Sequence, residues 1–133
     1  MSIYGNLHLP KQAINIPKHN DGWLIVTVRD LHGDLVDISG ALEIVFAVWD
    51  VPEENGGTVQ FVKTLSDGDV TIHGNGYKFS LWVDRADTGA LGTRLNYYEC
   101  DITNTDPAYP DGKKRTVMAG KFRAENTSNW SIV

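Results

Sequence analysis

Four histidines, one cysteine and seventeen side-chain carboxylates set the chemistry open to this 133-residue chain. His8, His19, His32 and His73 are scattered, and no two stand four apart or as His-x-His, the spacings that aim two imidazoles at one metal. They read as solvated loop histidines. Asp67-Gly68-Asp69 and Asn20-Asp21-Gly22 look like pieces of calcium loops, but the alternating ligands and distal Glu that hold the ion do not follow. Turn formation accounts for both. Cys100 stands alone, which excludes an internal disulfide and any zinc site built on several thiolates. It shares strand parity with Tyr98 and Ile102 and reads as a buried thiol rather than a nucleophile. Glu53-Glu54 and the pair Asp84 and Asp87 fall in loops, whereas glycosidase carboxylates face each other across a cleft. No nucleophile elbow, zincin helix or phosphate-cradling loop is present. The expectation is a protein that is not an enzyme and that uses no metal and no cofactor.

The elements that would position these residues repeat with a period of two. In 23–29, Leu24, Val26 and Val28 share one face; in 41–49, Leu42, Ile44, Phe46 and Val48 do; in 77–83, Tyr77, Phe79, Leu81 and Val83 do. Side chains alternate across a pleated ribbon, so each is a strand with one buried face. Weaker strands are expected at 12–16, 59–64, 70–73, 94–103 and 115–123. Turn chemistry separates them at His32-Gly33-Asp34, Glu54-Asn55-Gly56-Gly57, Asp67-Gly68, Gly74-Asn75-Gly76 and Asp111-Gly112. One helical turn is expected at Asp84–Leu91. The pattern predicts an all-β sandwich of about 7–9 short antiparallel strands over 12–123. An N-terminal arm, 1–11, precedes it, and a C-terminal tail, 124–133, follows it.

Three tryptophans have the wrong parity for a core. Trp23, Trp49 and Trp82 point away from the buried faces of their strands. If the second and fifth strands of the sandwich are antiparallel neighbours, the start of 23–29 meets the end of 77–83, and Trp23 and Trp82 come together on one outer face. Trp49 would lie outside the other sheet with Val45 and Ala47. Exposed apolar patches of this kind mark interfaces. With Leu7 and Leu9 of the arm and Trp130 of the tail, these tryptophans are the candidate partner-binding residues.

Charge and composition bound the partners. The chain is 41% apolar with a net charge of −5, which suits a folded domain and argues against nucleic acid or an anionic membrane as partner. Lys113-Lys114-Arg115 is the one basic cluster and reads as a solvated loop. No apolar run approaches the ~18 residues of a membrane span, and the first residues lack the basic-then-apolar pattern of a signal peptide. The expectation is a soluble protein made in a reducing compartment.

The order of these signals resembles a known family. Ile16-Pro17-Lys18 precedes an amphipathic strand; Gly33-Asp34-Leu35-Val36-Asp37-Ile38-Ser39-Gly40-Ala41 leads into the long third strand. Gly68 to Ile72, Gly76 to Phe79, Asp87 to Leu91, Tyr97 to Ile102 and Gly120-Lys121-Phe122 follow. Over residues 14–123 the chain is similar to the small immunoglobulin-like domains of tailed-bacteriophage virion proteins, of the type at the N-terminus of upper baseplate and tail-fibre-associated proteins. The resemblance implies an immunoglobulin-like sandwich and a non-catalytic virion component of the tail, baseplate or fibre attachment, assembled in the host bacterial cytoplasm. It implies contacts with other virion proteins or further copies of the chain as a homo-oligomer, and no catalytic or cofactor residues. A capsid-surface decoration protein is the alternative within that class. A carbohydrate-binding module, with the tryptophans stacking on a glycan, is the alternative outside it, and an assembly factor that leaves the finished particle is a third.

Overall fold

The structure is a computed structural model and describes residues 13–17, 21–30, 32–51, 55–91 and 95–125. Among them are eight strands and one helix: β1 (Ile14–Pro17), β2 (Gly22–Thr27), β3 (Glu43–Trp49), β4 (Val59–Thr64), β5 (Val70–Ile72), β6 (Lys78–Val83), α1 (Arg85–Leu91), β7 (Asn96–Asp106) and β8 (Tyr109–Glu125). They form two sheets, one ordered β1-β8-β7-β3-β4 and one ordered β2-β6-β5, packed as a sandwich.

Alternation builds the core. Leu24 and Val26 of β2, Phe79, Leu81 and Val83 of β6, and Ile44, Phe46 and Val48 of β3 are wholly buried, with the intervening residues outside. Tyr98 and Cys100 meet them from β7, and Phe122 from β8. Four rings form the centre: Tyr98 stacks on Phe46 at 5.4 Å, and Phe122 meets Phe46, Tyr98 and Phe61 edge-on at 5.9–6.3 Å. Edge and offset contacts of this kind suit the ring quadrupole. Burial pushes the Cys100 thiol far above its ordinary pKa, with Asp101 and Glu99 adding to the shift. A neutral thiol packed among rings is a small apolar side chain.

The structure corrects several expectations. The strands are not all antiparallel, because β1 runs parallel to β8, with Ile14 opposite Phe122 and Pro17 opposite Glu125. Nor are they all short, since β7 has 11 residues and β8 has 17. Asp111-Gly112 is not the turn between them. Asp106 pairs with Tyr109, so Pro107 and Ala108 make the turn, and Asp106 Oδ1 accepts the Ala108 N–H at 2.9 Å. Gly112 instead sits inside β8 with φ +86. The expected start of the tail at 124 falls within a strand: Ala124 is buried opposite Ile16, so pairing runs on to Glu125. Leu42 is exposed rather than part of the core row, since β3 begins only at Glu43. Tyr77 likewise stands exposed before β6. The single helical turn is a seven-residue helix.

Candidate docking site: a tryptophan pair on the smaller sheet

Trp23 and Trp82 are register partners across β2 and β6, their ring centroids 5.1 Å apart and their planes at 65°. Parity turns them outward and the β2–β6 register sets them side by side. The alternation that buries Leu24, Val26, Leu81 and Val83 turns both indoles outward, where they remain 53% and 39% exposed. Cross-strand aromatic pairs hold each other in place, worth about 0.5–1.5 kcal/mol beyond area burial. Behind the pair, Ile25 opposite Ser80 and Thr27 opposite Lys78 continue the face, with exposed Thr71 of β5 beside Ser80. Lys78 is the one charged side chain among them.

The tryptophan end of this face is pinned from both strands. Asp21, just before β2, accepts the Arg85 N–H on Oδ1 at 2.7 Å and its guanidinium on Oδ2 at 3.0 Å. The guanidinium and that N–H hold the Asp21 carboxyl below the usual carboxylate range, against a small opposing effect of burial. Arg85 opens α1, which a reciprocal cap starts: the Asp87 N–H donates to Asp84 Oδ1 at 2.9 Å and the Asp84 N–H to Asp87 Oδ2 at 3.0 Å. Asp87 also pairs with Lys63 of β4 at 2.9 Å, tying the helix to the larger sheet. The carboxylates at 84 and 87, which sequence reasoning left to solvent, are thus structural caps.

Trp49 belongs to a different surface. It ends β3 on the outer face of the larger sheet, between Tyr97 and Val59, where a bulge shifts the register after Val48. The ring is half-buried, and its Nε1 is buried with no acceptor among the described residues. A buried N–H without a partner costs about 1–3 kcal/mol. Leu7, Leu9 and Trp130 lie outside the described residues. As the parity reading has it, the structure joins Trp23 to Trp82 and sets Trp49 on the other sheet.

Two features escaped the sequence. On the outer face of the larger sheet, Thr116 Oγ1 lies 2.8 Å from Glu99 Oε1 and 2.6 Å from Asp101 Oδ1, with Lys114 3.6 Å from Asp101. Non-local pairing assembled that group. The second is an arm: Leu42 donates its N–H to the Thr103 carbonyl at 2.8 Å, and beyond that point β7 and β8 pair, among the described residues, only with each other. The arm ends at exposed Tyr109, over which Lys113 sits at 5.6 Å.

The two indoles stand edge to face and do not form one flat platform. Among the described residues no group of three or more His, Cys, Asp or Glu could hold a metal ion, and no helix is long and apolar enough to cross a membrane. No protein-family model matches this sequence, and no curated protein shows significant similarity to it.

Proposed function

We propose that this chain is a non-catalytic, immunoglobulin-like binding module that docks onto a neighbouring protein through the Trp23–Trp82 face, as a structural component of a tailed-phage virion. The observation that carries the docking reading is the exposed, edge-to-face tryptophan pair on an outer sheet face with one charged side chain. Aromatic anchors surrounded by small polar groups are the usual make-up of an interface centre. The immunoglobulin-like reading is supported by strand order. Taking β2, β6 and β5 as strands B, E and D, and β8, β7, β3 and β4 as G, F, C and C′, reproduces the variable-type arrangement, with β1 added beside G. The virion reading rests on the turn from Gly33 to Ala41 and the signals that follow it.

A many-copy structural protein associates with itself or with a fixed partner. Light scattering of the purified full chain over a hundredfold range of concentration tests the first. An oligomer that becomes a folded monomer on replacement of Trp82 supports docking through this face. An oligomer indifferent to both tryptophans overturns it.

A further inference from the structure

The outward face of the smaller sheet is graded along its strands. Trp23 and Trp82 stand level at one end, Ile25 and Ser80 come next with Thr71 beside them, and Thr27 and Lys78 close the other end. Beyond the tryptophans, Asp21 and Asp84 continue the same alternation, just past the last register pair, Gly22 with Val83. Bulk therefore lies toward one end and smaller side chains toward the other, with carboxylates beyond the bulk and an ammonium among the smaller groups.

The charges at the two ends are unmatched. Lys78 makes no ion pair among the described residues. At the other end Arg85 is matched by Asp21 at 3.0 Å and Asp87 by Lys63 at 2.9 Å, so Asp84 is the excess charge, with its Oδ1 used in the helix cap. Six residues of strand put about 20 Å between Lys78 and Asp84, beyond the range over which exposed charges feel each other. A second copy turned end for end answers both. About a two-fold axis lying between the faces, across the strands and level with Leu81, β6 of each copy runs over β6 of the other in the opposite direction. Lys78 then faces the partner's Asp84, Trp82 the partner's Ser80 and Trp23 the partner's Ile25. Each indole meets a smaller side chain, and the charge pair forms twice, as in any isologous contact. Sheets stacked face to face lie about 10 Å apart, with strands within about 30° of one another.

We propose that the tryptophan face docks on the same face of a second copy of this chain, strands antiparallel, with Lys78 of each copy against Asp84 of the other. The inference rests on the docking reading of that face and names its occupant. Three strands of six residues or fewer make a face about 20 Å long and about 14 Å wide, at the small end of specific interfaces, so the dimer is weak and concentration-dependent.

Sedimentation equilibrium of the full chain, from about 10 μM to about 1 mM at physiological salt, tests it. A monomer–dimer equilibrium is expected. Lys78→Glu sets like charges together in two places and is expected to weaken the dimer by roughly tenfold. Lys78→Glu combined with Asp84→Asn, which keeps a capping oxygen, removes the repulsion and is expected to recover part of that loss. A chain that stays monomeric throughout overturns the inference and leaves the docking reading to a different partner. A dimer that Trp82→Ser dissociates but Lys78→Glu leaves unchanged overturns the end-for-end arrangement. A dimer indifferent to Trp82→Ser overturns the docking reading itself.

Discussion

Replacing Trp82 by serine separates folding from docking, and the structure allows the size of each effect to be worked out. Trp82 is 39% exposed, so roughly 100 Å² of it is available to a partner and the rest already packs on Trp23 and the strand. At about 25 cal/mol per Å², removing the exposed part withdraws about 2.5 kcal/mol from association, or roughly a 70-fold weaker Kd. An isologous pair would lose that amount on both sides. The folding side is smaller relative to its total. The variant gives up the edge-to-face pair and part of the packing below it, about 1–3 kcal/mol, against the 5–15 kcal/mol usual for a domain. Both strands keep their inward residues, so the sandwich should persist. Urea denaturation followed by circular dichroism gives the first quantity, and light scattering over concentration gives the second. The expected result is a cooperative, somewhat less stable fold that has lost its association. A variant that associates as before refutes the docking argument, and one that fails to fold refutes the claim that the indole is peripheral. Trp23→Phe keeps a ring at the partner position and should restore most of both.

Other substitutions probe the frame around that face. Gly112→Ala should cost about 2 kcal/mol or more by thermal or urea unfolding: φ is +86, and a Cβ there would lie 2.9 Å from the Asn104 carbonyl, Leu42 Cδ1 and Thr103 Cγ2. Trp49→Phe should lie within about 1 kcal/mol of the parent, because relief of the orphaned indole N–H offsets the lost area. A loss beyond about 3 kcal/mol would mean the N–H has an acceptor. Asp21→Asn should destabilise at pH 7 by more than at pH 3. The folded carboxyl titrates below its unfolded value, so its contribution is present above the ordinary carboxylate range and disappears as pH falls through the depressed one. Denaturant midpoints at the two pH values measure the difference. Cys100 should resist a thiol reagent such as dithionitrobenzoate at pH 8 in the native state and react stoichiometrically in denaturant; rapid native labelling would place the thiol outside the core.

Strand existence and facing were legible because one period decides both. Parity places Leu24, Val26, Phe79, Leu81 and Val83 inside and turns Trp23 and Trp82 outward, and the pairing of β2 with β6 then sets the two indoles on one outer face. What parity cannot carry is length and partner. Gly112 looked like a turn because positive-φ glycines usually make turns, yet here the residue serves a long hairpin from inside a strand. Trp49 has outward parity yet is half-buried, at a bulge where its register partners are Tyr97 and Val59, and those partners are set by pairing across the chain. The parallel β1 was hidden for the same reason. Four residues carry no mark of direction, and their partner lies at the opposite end of the sequence.

That pairing has a bearing on how the protein is made. Ile14 and Ile16 are buried against a strand synthesised more than a hundred residues after them, since Ile14 pairs with Phe122. Until Phe122 and Ala124 emerge from the ribosome, β1 has no place in the larger sheet. The long β7–β8 hairpin, which braces β3, is also completed only then. The smaller sheet is different, since β5, β6 and β2 are complete by Val83. Synthesis from the N-terminus therefore offers half a sandwich early, with its inner face uncovered, and delivers the covering half late. Non-local closure of this kind slows folding and prolongs exposure of apolar surface. A truncation that stops before Phe122 should be recovered as an aggregate, while the full chain refolds once released.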